Sequence, residues 1–122
     1  MNKEQAIHKF WSSFGIPAYD ENTVPDDLEF PYITYSVSTD SLGNAVTLYA
    51  NIWDRSTSWE AITLKAEEIA EFIGYGYHLE SFEGGYVYIT KGTPFAQRMN
   101  EPGDNMVRRI YINVEAEFLC EY

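Results

Sequence analysis

The sequence predicts an α+β fold in which two helices pack on a mainly antiparallel sheet of four to five strands. Two stretches carry apolar residues at helical spacing, and several others alternate apolar and polar residues as half-buried strands do. Turn residues join the alternating stretches into hairpins, which is typical of α+β rather than of parallel α/β folds. The 122 residues fit a single domain, residues 1–122.

The first helix is predicted over residues 2–14. Asn2, followed three residues later by Gln5, matches a capping box, and Gly15 ends the helical pattern. The apolar stripe of this helix consists of Ala6, Ile7, Phe10, Trp11 and Phe14. We expect so aromatic a stripe either to dock on the sheet or to contact a neighbouring subunit.

The acidic stretch from Pro17 to Pro31 is predicted to be an irregular surface loop, because its prolines exclude a helix. Strict alternation then predicts one strand over Tyr32–Ser38 and a second over Ala45–Trp53. The composition of Asp40–Asn44 is that of a turn, so the two strands should form a hairpin.

The second helix is the most strongly patterned element of the chain. Thr57 and Glu60 match a capping box, and Gly74 lies where a left-handed C-cap is expected. The apolar stripe between them consists of Ile62, Ala66, Ile69, Ala70 and Ile73.

The C-terminal part is predicted to contain two short strands, a long loop and a final strand. The short strands are Tyr77–Phe82 and Tyr86–Lys91, on either side of a glycine turn. Residues 92–107 show little periodicity, so we predict a long loop there, and loops of that length are often functional. Alternation predicts the last strand over Arg108–Leu119.

The charge of the chain excludes several classes of function. With 19 acidic and 8 basic residues the formal net charge is −11, and a direct grip on DNA would need basic residues to neutralise phosphates. No segment approaches the ~20 apolar residues that a membrane span requires. Cys120 is the only cysteine, which fits a reducing compartment. We therefore expect a soluble, cytoplasmic protein that does not bind membranes.

The residues that could carry chemistry are isolated in the sequence. His8 and His78 have no further ligands at metal-binding spacing, and Cys120 has no neighbouring base that would activate its thiol. We expect no catalytic, cofactor or metal site, and no enzymatic activity. One alternative stays open, because spatial pairing of carboxylates is invisible in a sequence. This alternative is a small ligand-binding or enzymatic α+β domain with Tyr and acidic groups lining a pocket between helix and sheet.

Aromatic residues on the outward faces of the predicted strands are the positive signal. Tyr49 and Trp53 share one face of their strand, and Tyr86 and Tyr88 share one face of another. An open sheet should present polar residues there. Two explanations are open: one of the helices covers this face, or a partner subunit does.

Three strings of the sequence together resemble a known family. Pro31-Tyr32-Ile33-Thr34-Tyr35, then Tyr49-Ala50-Asn51-Ile52-Trp53-Asp54, then the capped helix, are similar to the tail terminator (tail-completion) and related minor tail proteins of long-tailed phages and prophages. The likeness extends roughly from Phe30 to the C-terminus, and the aromatic N-terminal helix has no counterpart in it.

The resemblance implies a non-catalytic ring-forming subunit, often a hexamer, on the end of the tail tube. Its partners would be copies of itself, the tail tube protein and the head-side connector proteins, first in the host cytoplasm and then in the virion tail. DNA would pass through an acidic lumen without sticking. The outward aromatics and the predicted loop give the candidate subunit or partner interface: Phe10, Trp11, Tyr32, Tyr49, Trp53, Tyr86, Tyr88, Phe95, Met99, Met106 and Tyr111.

Overall fold

A computed structural model of the chain describes residues 1–38, 45–99 and 101–120, and the predicted turn at Asp40–Asn44 lies outside these ranges. The helices are α1 (Lys3–Trp11), which continues as a short 3₁₀ turn (Ser12–Phe14), and α2 (Glu60–Ile73). The strands are β1 (Ala18–Asp20), β2 (Tyr32–Tyr35), β3 (Ala45–Arg55), β4 (His78–Phe82), β5 (Gly85–Met99) and β6 (Val107–Cys120).

The fold is α+β, as predicted, with two helices on a six-stranded mixed sheet of order β1-β2-β3-β6-β5-β4. The sheet therefore has more strands than the predicted four to five. The additional strand is β1, which lies inside the predicted acidic loop and pairs in parallel with β2 through Ala18 and Ile33. Three residues are too few for alternation to show in a sequence, so the prediction of an irregular stretch was wrong there. The other strand pairs are antiparallel.

The core lies between the two helices and one face of the sheet, which we call the helix face. The central strands β3 and β6 present alternate apolar residues to it, because successive side chains of a strand point to opposite faces. Apolar residues of α1 and α2 form the other side of this core. The fully enclosed side chains include Ile7, Trp11, Leu48, Ile52, Ile69, Ile89, Ile112 and Phe118.

Helix α1 begins as predicted. The Asn2 side chain accepts a hydrogen bond from the Gln5 amide at 2.8 Å, and the Gln5 side chain accepts one from the Asn2 amide at 2.9 Å. Phe10 and Trp11, however, are only 1% and 0% exposed. Their expected place in an interface is wrong, since both rings lie in the core of the chain itself.

Helix α2 begins later than its sequence pattern predicts. Its N-cap residue is Trp59, so Glu60 is the first helical residue and the capping box of Thr57 with Glu60 does not form. The Glu60 amide instead donates to the Ser58 hydroxyl at 3.0 Å. At the other end Gly74 has the expected positive φ, 76°, with an extended ψ of −163° in place of a left-handed one.

The predicted long loop over residues 92–107 is wrong. Strand β5 continues through it to Met99, and β6 begins at Val107, so the two form one long hairpin. Their pairing is interrupted between Lys91 and Ala96, and Gly92 and Pro94 lie in this irregularity. Gly92 approaches β6 so closely there that a Cβ atom would lie 2.8 Å from the Cβ of Asn113.

Candidate interface on the open sheet face

The sheet face opposite the helices, which we call the open face, carries the outward aromatic residues. Since both helices pack on the helix face, neither of them covers it within the described ranges. The proposed cover by one of the helices is therefore wrong. Strand register brings aromatic residues of four strands, β2, β3, β5 and β6, onto this face, where they divide into two groups with different surroundings.

The first group is centred on Trp53 at the end of β3. Tyr32 stacks on the Trp53 ring with centroids 6.2 Å apart, and the Trp53 indole N–H donates to the Thr34 hydroxyl at 2.9 Å. The Arg109 guanidinium lies over the Trp53 ring, with its carbon 5.2 Å from the ring centroid. Burial raises the pKa of Tyr32. Trp53 is thus held in place by contacts within the chain.

Arg109 is itself held by two further residues. Its Nε donates to the Glu101 carboxylate at 2.7 Å, and its Nη1 donates to the Asn51 side-chain oxygen at 2.9 Å. Asn51 is buried, so this hydrogen bond satisfies an amide oxygen that has little access to water. The positive charge of Arg109 is therefore balanced by the Glu101 carboxylate within the chain.

Tyr49 and Tyr111 extend the same group across β3 and β6. Their rings are stacked 5.7 Å apart, and the Tyr49 hydroxyl donates to the Glu21 carboxylate at 2.7 Å. That hydrogen bond, with a smaller contribution from burial, raises the pKa of Tyr49. We call Tyr32, Trp53, Tyr49, Tyr111 and Arg109 the tethered cluster, because their side chains pack on one another and the polar atoms of Trp53, Tyr49 and Arg109 are bonded within the chain.

The second group lies on β4, β5 and the end of β6, and we call it the exposed patch. Tyr86 stands opposite Leu119, and Leu79 stands opposite Tyr88, so the four residues adjoin. Tyr77 stacks on Tyr88 with centroids 4.7 Å apart. Tyr77, Leu79, Tyr86 and Leu119 are 53%, 43%, 52% and 44% exposed. Adjoining apolar side chains that water can reach are typical of protein contact surfaces.

The predicted interface residues thus occupy different places. Tyr86 and Tyr88 belong to the exposed patch, whereas Tyr32, Tyr49, Trp53 and Tyr111 belong to the tethered cluster. Met99 lies at the end of the open face opposite Arg109, and Met106 precedes β6 at the same end of the sheet. Phe95 is on the helix face, half-buried against the core.

Three residues of the exposed patch were not predicted: Tyr77, Leu79 and Leu119. Alternation within β4 and β6 could have placed Leu79 and Leu119 outside, because Glu80 and Phe118 beside them face the core. The position of Tyr77, one residue before β4, has no periodic signal.

Both histidines and the buried carboxylate of Glu80 have structural partners. His8 is hydrogen-bonded to the Tyr35 hydroxyl at 2.8 Å, and His78 to the buried carboxylate of Glu80 at 2.8 Å. The Lys9 ammonium lies 3.6 Å from the Glu80 carboxylate. Within the ranges that the structure describes, no three His, Cys, Asp or Glu side chains come together as metal ligands would.

A shallow groove of about 230 Å³ lies between α2 and β5. Glu67 and Arg98 are the charged residues of its lining, and the rest is mostly apolar. A pocket for the alternative function would need converging carboxylates or His78, but His78 lies elsewhere, against Phe10 and Phe72. The groove therefore gives the ligand-binding alternative no specific support.

In the described part of the chain, neither helix has the length and apolar character needed to cross a bilayer. The chain matches no protein-family model and no curated protein in sequence comparisons.

Proposed function

We propose that this chain is a non-catalytic assembly subunit that contacts other copies of itself through the exposed patch. The observation that carries the proposal is the contrast on the open face. In the tethered cluster the polar atoms of Trp53, Tyr49 and Arg109 are bonded within the chain, whereas Tyr77, Leu79, Tyr86 and Leu119 remain open to water. Covering such a patch with a protein surface removes apolar area from water, which favours association.

The assembly that we propose is the neck or tail of a long-tailed phage or prophage, with the chain as a ring-forming tail terminator or minor tail protein. Three features support this: the family-like strings on β2, β3 and the start of α2, the patch itself, and the net charge of −11. An acidic lumen repels DNA phosphates and so would let the genome pass without binding it.

Self-association is tested by size-exclusion chromatography with light scattering over a wide range of protein concentrations. The test variant is Leu79→Lys/Tyr86→Lys, which places two charges in the exposed patch. The matched control is Leu64→Lys/Tyr75→Lys, the same two residue types at exposed positions on and after α2. We expect the wild type and the control to form oligomers and the patch variant to be monomeric, because burying a lone charge is unfavourable.

A wild type that stays monomeric at the highest concentration, and that also does not bind tail-tube protein, would contradict the proposal. Equal association of the two double variants would show that the patch is not the contact. The phage assignment has a separate test in gene order, since a terminator gene is expected between head-completion and tail-tube genes.

A further inference from the structure

All four arginines of this acidic chain lie at one end of the sheet. Strand register places Arg108 opposite Asp54, Arg109 opposite Trp53, and Arg98 opposite Ile110, while Arg55 ends β3 beside them. Two of the four have carboxylate partners: Arg55 pairs with Asp104, and Arg109 with Glu101. The other two, Arg98 and Arg108, have no ion pair within the described ranges.

Arg98 and Arg108 are held next to each other by Trp59, just before α2. Their guanidinium carbons lie 5.0 and 5.3 Å from the centroid of the Trp59 ring. The Trp59 ring orients the two guanidinium groups through cation–π contacts, but it carries no negative charge that would balance them. We call the three residues the arginine clamp.

Arg108 shows that the clamp is incomplete in a single copy. A guanidinium has five N–H donors, and the described contacts of Arg108 give one hydrogen bond, a long one of 3.4 Å to the Thr57 carbonyl. Its Nε is shielded from water and has no acceptor in the part of the chain that the structure describes. Asp54 stands opposite Arg108 in the strand register but forms no ion pair with it, so the remaining donors of Arg108 are open to an anion from outside the chain.

Unmatched negative charge lies in the segment that joins β1 to β2 and enters β2 at Tyr32, opposite Trp53. Asp26, Asp27 and Glu29 of this segment are exposed, and none of them has an ion pair within the described ranges. Strand β2 is separated from the clamp strands β6 and β5 by two and three strand positions, or about 10–14 Å in the sheet. Within the described ranges, no ion pair joins the two charged sites of one chain.

We infer that the arginine clamp of one copy binds the Asp26–Glu29 segment of the next copy. The inference rests on the proposed function as a self-assembling subunit and names a second contact, with a direction. Two different, complementary sites on each chain make a head-to-tail contact, and such contacts generate closed rings when the rotation between copies closes. Charge complementarity selects the neighbour's acidic segment, and fixes which end of each copy it meets.

A charge-swap experiment tests the pairing. One variant is Arg98→Glu/Arg108→Glu, and the other is Asp26→Lys/Glu29→Lys. Each alone places like charges together, so we expect self-association on the order of 100-fold weaker than in the wild type, measured by sedimentation velocity. An equimolar mixture should associate again, because every contact in an alternating assembly then joins opposite charges.

Three controls keep the result interpretable. Lys3→Glu/Lys91→Glu changes the net charge by the same amount as Arg98→Glu/Arg108→Glu, but at positions away from the clamp. It should associate like the wild type. Near-UV circular dichroism of each variant establishes that it is folded. If the double arginine variant does not fold, Arg98→Glu alone replaces it, since Arg98 is exposed.

The remaining outcomes separate the inference from the proposed function. If both charge variants associate like the wild type while Leu79→Lys/Tyr86→Lys does not, the inference is wrong and the proposed function stands. If both charge variants dissociate and their mixture does not reassociate, the two sites do not contact each other. A wild type that is monomeric at every concentration, and that also does not bind tail-tube protein, overturns the inference together with the proposed function.

Discussion

Replacing Trp11 by alanine decides whether the aromatic stripe of α1 is core or interface. The side chain is 0% exposed and packs edge-on against Phe10, with centroids 4.8 Å apart. Removing a buried Trp side chain destabilises a protein by about 3–5 kcal/mol, through lost burial and the cavity left behind. A domain of this size has a free energy of unfolding of roughly 5–15 kcal/mol, so the loss is a large share of the total.

Trp11→Phe separates a second contribution to the free energy of unfolding, because the Trp11 indole N–H is enclosed and has no acceptor among the described residues. An unsatisfied buried donor is unfavourable by about 1–3 kcal/mol, and phenylalanine removes it together with part of the ring volume. The two effects oppose each other, so we expect Trp11→Phe to lower stability by less than about 2 kcal/mol.

Urea unfolding followed by far-UV circular dichroism measures both variants. Leu64→Ala is the control, since that side chain is 57% exposed on α2 and its loss should change stability by no more than about 0.5 kcal/mol. Trp11→Ala should keep the oligomeric state of the wild type wherever it is folded. If Trp11→Ala has nearly wild-type stability but fails to associate, the reasoning is refuted and Trp11 belongs to an interface.

Two further predictions concern local hydrogen bonds. Ser58→Ala removes the acceptor of the Glu60 amide at the start of α2 and should lower the free energy of unfolding by about 0.5–2 kcal/mol, whereas Thr57→Ala should change it less; equal effects in urea unfolding would contradict the observed start of the helix. The raised pKa of Tyr49 means that its hydrogen bond to Glu21 contributes stability below the unfolded pKa of about 10, and that this contribution is lost as the pH rises through the folded pKa. Glu21→Gln should therefore make Tyr49 ionise at lower pH in an ultraviolet absorbance titration, and an unchanged titration would show that Glu21 is not its partner.

The sequence was informative wherever a pattern repeats over several turns or residue pairs. The stripe of α2 and the alternation of β3 and β6 predicted these elements to within a few residues. The alternation also placed Tyr49 and Trp53 opposite the core side of β3. It could not tell which face the helices would cover, because that depends on long-range packing.

The errors have identifiable physical causes. The continuation of β5 was missed because Gly92 and Pro94 lie at an irregularity of the strand pairing, where they are tolerated, although they commonly mark loops. The start of α2 was misplaced because Ser58, one residue after Thr57, accepts the hydrogen bond that a cap would accept. Phe10 and Trp11 were placed in an interface because an aromatic stripe has the same spacing whether a sheet or a partner covers it.

For the candidate interface, too, periodicity alone is insufficient, and the contacts that one copy leaves incomplete favour assembly. Periodicity identifies outward aromatics, but it does not distinguish Trp53, whose N–H and ring faces are occupied within the chain, from Tyr86, which is open to water. What distinguishes them is whether their contacts are complete in one copy. The exposed patch, the arginine clamp and the Asp26–Glu29 segment are each incomplete in that sense. Further copies of the same chain would complete all three, whereas a small ligand in the groove beside α2 would reach only Arg98 among them.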